Sequence, residues 1–89
     1  MSNPIHLERY LKLLTYIEEH FKENISMETI QQVAHYSYRN INRIFQAQHG
    51  ETIGHYIKRL RLQKAAELLK YSQVDISDIA LEVGFGDLA

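Results

Sequence analysis

Cysteine is absent, which excludes a disulfide framework and a thiolate metal site. No apolar run approaches the roughly 20 residues needed to cross a bilayer. The opening residues, Met1-Ser2-Asn3-Pro4-Ile5-His6, lack the basic and apolar regions of a secretion signal. The expectation is a cytoplasmic protein with no membrane partner. Strand-like alternation, low-complexity segments and flexible linkers are missing too. So are a Gly-rich phosphate loop and a nucleophile elbow. The five histidines, His6, His20, His35, His49 and His55, contain no i, i+4 pair and no HExxH spacing. Glu18-Glu19 reads as a solvated helix exterior. These absences argue against an enzyme and against any cofactor or metal.

What is present is one small domain's worth of chain, 89 residues. A domain of this size buries only about 60% of its unfolded surface, so its core must be used efficiently. The net charge of −1 argues at first against nucleic acid. Its distribution says more. Residues 1–37 carry −2, residues 38–70 carry +5 and residues 71–89 carry −4. A local basic patch attracts phosphates even on a near-neutral chain. On charge alone, clustering on solvated helix faces is an equal alternative.

Helical spacing dominates. Leu7, Tyr10, Leu11, Leu14, Ile17 and Phe21 recur at steps of three and four, the stripe of an amphipathic helix. Asn3 before Pro4 suits its start. After a break at Asn24-Ile25, Ser26 is placed to cap a second helix over 27–34, with Met27, Ile30 and Ala34 apolar and Glu28 favouring the dipole. His35-Tyr36 makes a turn. Ser37 caps a third helix that runs to about Gln48 and stops before Gly50. Its inner face is Ile41, Ile44 and Phe45. Its other positions, Tyr38, Arg39, Asn40, Asn42, Arg43 and Gln46, hold no acid. A fourth helix, about 53–70, follows Gly50-Glu51-Thr52 and spans about 27 Å. A fifth begins at Asp75 or Ser77, with Ile76, Ile79, Ala80 and Val83 apolar, and stops at a left-handed Gly84.

Residues 26–40 echo at 75–89, offset by 49. Ser26 falls on Asp75, Met27 on Ile76, Ile30 on Ile79, Ala34 on Val83, Tyr36 on Phe85 and Ser37 on Gly86. A short helix, a tight turn and a second helix with a polar outer face make a helix-turn-helix. The second helix presents its first residues to base edges in the major groove. Arg39, Asn42 and Arg43 share one face. Arg can bond guanine through two acceptors, and Asn can do the same with adenine. The plain alternative is a solvated helix face. Of the tyrosines, Tyr10, Tyr16, Tyr36 and Tyr56 read as packing residues and Tyr38 as a contact candidate. Arg61 reads as a structural ion pair with Glu67 or another acid rather than a phosphate contact. Lys58, Arg59 and Lys64 fit phosphate attraction and surface solvation equally.

These segments resemble the AraC family of bacterial transcription regulators. The resemblance runs from Ile25-Ser26-Met27-Glu28 to Ser37, through Ile44-Phe45 and Gly50, along 56–69, and into Ile76-Ser77-Asp78-Ile79-Ala80-Leu81-Glu82-Val83-Gly84-Phe85. It implies an all-α, homeodomain-like fold. One complete helix-turn-helix unit would occupy 1–50, a linker helix 51–71, and an incomplete second unit 72–89. It implies double-stranded DNA as partner, with RNA polymerase contacted by the parent regulator. Carried over by position, Arg39, Asn42 and Arg43 are the base readers. Ser37, Tyr38, Asn40 and Gln46 are backbone or edge contacts. Two residues depart from the family pattern: His35 replaces a turn glycine, and Gln31 a small residue. The chain also stops where the family's second reading helix begins. The expectation is therefore a fragment with an N-terminal DNA-binding domain.

The competing reading is a helical protein-interaction module without DNA contact. Acidic flanks and an apolar 76–85 face, lacking its partner helix, favour it. That face would also favour self-association.

Overall fold

The computed structural model describes residues 4–71, 73 and 75–85. All regular structure among them is α-helical: α1 Pro4–His20, α2 Met27–Ala34, α3 Tyr38–His49, α4 Ile53–Tyr71 and α5 Ile76–Glu82. Asn3, Gly86 and Asp87 lie outside the described residues. The molecule is elongated, 47 × 23 × 17 Å, with a radius of gyration of 14.5 Å. A compact chain of this length would have about 12 Å.

The helix ends follow local chemistry. Ser26 Oγ accepts from Thr29 N at 3.1 Å, and Ser37 Oγ from Asn40 N at 3.3 Å. Thr52 Oγ1 accepts from His55 N at the start of α4. Asp75, not Ser77, caps α5. Each cap satisfies an N–H that the helix itself cannot. Gly50 and Gly84 end their helices at φ +84° and +96°, conformations that cost glycine no Cβ clash. α1 ends at His20, where Glu23 N turns back to the His20 carbonyl.

One core joins α1 to α4. It contains Tyr10, Leu13, Ile17, Ile30, Ala34, Ile41, Ile44, Phe45, Ile53, Tyr56 and Ile57. The α3 face matches expectation. On α1 the stripe is rotated: Leu13 is fully buried, whereas Leu7 and Leu11 lie on its exposed margin. Met27 is also exposed rather than part of the α2 core face. On α5, Ile79 and Val83 are covered, against α4, while Ile76 is exposed. The 76–85 face is thus largely occupied, not bare; Ile76 and Leu81 are the apolar residues it leaves open.

The turn between α2 and α3 is held from two sides. His35 sits at φ 58°, the left-handed region, and its N–H bonds the Gln31 carbonyl. Arg9 donates to the His35 carbonyl at 2.8 Å and lies over the Tyr36 ring at 4.3 Å. Gln31 Oε1 accepts from Tyr38 N at 2.8 Å. So the long side chain at 31 is used, because it takes up a free N–H of α3. His35 itself is strained, and its side chain is exposed. Left-handed backbone costs an L residue roughly 1–2 kcal/mol, part of which glycine's extra unfolded freedom offsets. His35→Gly should therefore raise stability by about 0.5–1 kcal/mol. A urea midpoint that fails to rise would show that the imidazole packs usefully.

Candidate nucleic-acid interface

The outward face of α3 follows from its inward one. With Ile41, Ile44 and Phe45 buried, a helix of 3.6 residues per turn points 39, 43 and 46 the other way. Arg39, Arg43 and Gln46 are exposed. Arg43 donates to Asn40 Oδ1 at 2.9 Å, so these two side chains are pre-aligned. Arg39 has no side-chain partner among the described residues. Ser37 holds the N-terminus of α3, where backbone N–H groups and the dipole favour an anion.

Two of the sequence-derived candidates are placed differently from their neighbours. Tyr38 is half-buried against the core, and its N–H is taken by Gln31. Asn42 lies on the flank of the α3 face. Its Oδ1 accepts from Ile53 N at 2.9 Å, across the α3–α4 corner. That bond satisfies a free N–H at the start of α4. Asn42→Ala should cost about 1–2 kcal/mol, as losing a helix cap does. Asn42→Asp keeps the acceptor and should stay close to wild type. Matching urea midpoints for the wild type and Asn42→Ala would show that this bond carries no weight.

The other cations divide by partner. Arg59 grips Glu51 through Nε at 3.0 Å and Nη2 at 2.6 Å. His55 Nδ1 lies 2.6 Å from the same carboxylate, and His49 Nε2 lies 3.4 Å from it. Hydrogen bonding to Arg59, aided by His55 and opposed by partial burial, pulls the Glu51 carboxyl down to about 2. His49 shares a 2.7 Å hydrogen bond with the Tyr10 hydroxyl. Burial, and Glu18 beside it, push the Tyr56 hydroxyl up to about 12. These contacts lock the α3–α4 corner. Lys64 pairs with Glu67 at 3.3 Å. Arg61 does not. It donates instead to the Phe21 and Glu23 carbonyls at 2.7 and 2.9 Å, a structural role of another kind. Lys58 is exposed and has no side-chain partner among the described residues.

The arrangement is a short braced helix, a tight turn and a helix with a basic, acid-free outer face. A family model described as a helix-turn-helix domain matches residues 30–89, most of the chain. The chain belongs to the AraC-type helix-turn-helix family of DNA-binding transcription regulators.

Curated relatives agree. The HTH-type transcriptional activator RhaS of Enterobacter sp. strain 638 is 39% identical over 79 residues, 89% of this chain and 28% of the relative. RhaS of Citrobacter koseri is 40% identical over 79 residues, with the same coverage. RhaS of Escherichia coli O139:H28 is 36% identical over 75 residues, 84% of this chain and 27% of the relative. The chain thus spans just over a quarter of the length of these relatives. They are named as transcription regulators, not enzymes. Among the described residues no helix is long and apolar enough to cross a membrane.

Sequence reasoning missed Gln31, Arg9 and Glu51 as organisers of the site. Only the departure at Gln31 signalled that something compensates there.

Proposed function

We propose that this chain binds double-stranded DNA in the major groove, with α3 as its reading helix. In this reading 1–50 form the first unit, 51–71 the linker and 72–89 the start of a second unit. Arg39 and Arg43 bond guanine edges through two acceptors each. Gln46 extends the same face. Asn42 offers its amide nitrogen from the flank while its oxygen holds α4. Ser37 and Asn40 meet the sugar-phosphate backbone, and Tyr38 contributes its ring edge. The observation that carries the reading is the exposed, acid-free face of α3, with Arg39 free of any side-chain partner among the described residues.

The parent regulator would act in the bacterial cytoplasm. Its relatives are named as activators, which fits a contact with RNA polymerase. Ile76 and Leu81 offer a small apolar surface for self-association. No catalytic step is assigned.

The test is affinity against salt for a duplex selected from a random pool. Log K falls linearly with log salt. Arg39→Ala and Arg43→Ala each lower specific affinity by about 10- to 100-fold, the worth of one bidentate base contact. Lys58→Ala weakens all sequences alike and reduces the salt slope by about 1. Absence of any DNA binding at low salt, for this chain and for a longer regulator carrying it, overturns the reading.

A further inference from the structure

Among the described residues the two units do not share one continuous apolar core. The continuous core is drawn from α1 to α4, and the buried Ile79 and Val83 stand outside it. Between the units lies an open cleft of about 470 Å³, lined by Asn24, Ile25, Gly54, Ile57, Lys58 and Phe85, with Arg61 at its wall. Small, polar joints between structural units are mobile by default. Burial of Ile79 and Val83 holds α5 to α4; its tie to the exit of α1 needs contacts of another kind.

Three pieces of chain meet at Arg61. From the middle of α4, its guanidinium donates to the Phe21 carbonyl at 2.7 Å and the Glu23 carbonyl at 2.9 Å, just past the end of α1. Its charge also favours that negative end of the helix dipole. The same guanidinium lies 5.7 Å from the Phe85 ring centroid, within cation–π range. Gly84 is pressed against it: a Cβ there would stand 3.0 Å from Arg61 Nε and 2.7 Å from the Lys22 carbonyl. Among the described residues a further polar link, Lys22 to Glu82 at 3.3 Å, is exposed, and exposed pairs contribute little.

We infer that Arg61 is a positioning residue that joins the two units into one rigid body and so sets the angle at which their reading helices meet DNA. The joint stands on the geometry alone, and only its consequence for DNA rests on the reading above. The fork of a guanidinium suits this joint, because two donors in a fixed plane take two carbonyls while the charge stays within cation–π range of Phe85. Lysine restores the charge but not the fork.

The test uses the full chain with Arg61→Ala and Arg61→Lys. Residual dipolar couplings report whether α1–α3 and α5 share one alignment tensor. The wild type is expected to fit one tensor. In Arg61→Ala the couplings of α5 shrink towards zero while those within α1–α3 persist. Arg61→Lys lies between. In a longer regulator carrying the second unit, Arg61→Ala loses about 10- to 100-fold on a duplex holding both half-sites, because linked sites out of register forfeit avidity. It keeps wild-type affinity for a duplex holding only the α3 half-site. A single tensor in both variants overturns the joint. Unfolding of α1–α3 in Arg61→Ala also overturns it, since Arg61 would then belong to the first unit's own stability. A wild type that binds no DNA refutes the DNA reading, and the couplings still decide the joint.

Discussion

Phe45→Ala is expected to strip about 3–5 kcal/mol from the α1–α4 core. Phe45 is fully buried at the centre of the α1–α4 core. Its ring lies 5.3 Å from Tyr10, 5.0 Å from His49 and 5.5 Å from Tyr56. Truncating a buried Phe typically costs about 3–5 kcal/mol, the lost transfer energy plus the cavity left behind. Each well-formed aromatic pair adds about 0.5–1.5 kcal/mol beyond area burial. Small domains carry only about 5–15 kcal/mol of net stability. With a urea slope of about 1–3 kcal/mol/M, the midpoint should fall by roughly 2 M. The outer face of α3 should lose its fixed orientation with it, because Phe45 packs beside Ile41 and Ile44 on the inner face that seats α3 in the core. A midpoint shift of a few tenths of a molar would refute this account of the core.

Gly84→Ala is the second large effect, and it is local. At φ +96° an L residue is strained, by roughly 1–2 kcal/mol. The new Cβ would also meet the Lys22 carbonyl at 2.7 Å, and backbone cannot swing aside as a flexible side chain can. Overpacking of this kind costs about 1–3 kcal/mol. The two together come to roughly 2–5 kcal/mol, borne by the second unit alone. Amide exchange in α5 should therefore accelerate by more than tenfold, since about 1.4 kcal/mol corresponds to a factor of 10. Exchange in α1–α3 should hardly change. Uniform acceleration along the chain would mean that the units unfold together.

Gly84 shows how far a local reading reaches. Its place after an amphipathic segment announces a left-handed stop, and φ confirms it. That any Cβ here would run into the exit of α1, some 60 residues away in sequence, has no local signal. The α1 stripe behaves the same way. Leu11, Leu13 and Leu14 surround the true centre, so several rotations fit the spacing equally well. Contact with α2 and α3 selects Tyr10, Leu13 and Ile17. Met27 fits its helix face by period but lies at its first turn, beyond the reach of the neighbouring helices. Arg61 suggests an ion pair because acids lie near it in sequence. Its actual partners are main-chain carbonyls, which every residue carries and no pattern marks.

The amino-acid order alone determined the five helices, the serine caps of α2 and α3, the glycine stops and the acid-free run of α3's outer positions. All of these depend on neighbours within four residues, where spacing and side-chain type carry the physics. Only the tertiary structure decided which margin of α1 is buried, that the Asn42 amide oxygen caps α4, that Gln31 takes up a free N–H beside the strained turn at His35, and that Arg61 gathers three segments at one point. Each of these is a contact between residues distant in sequence, and its geometry exists only once the helices have packed.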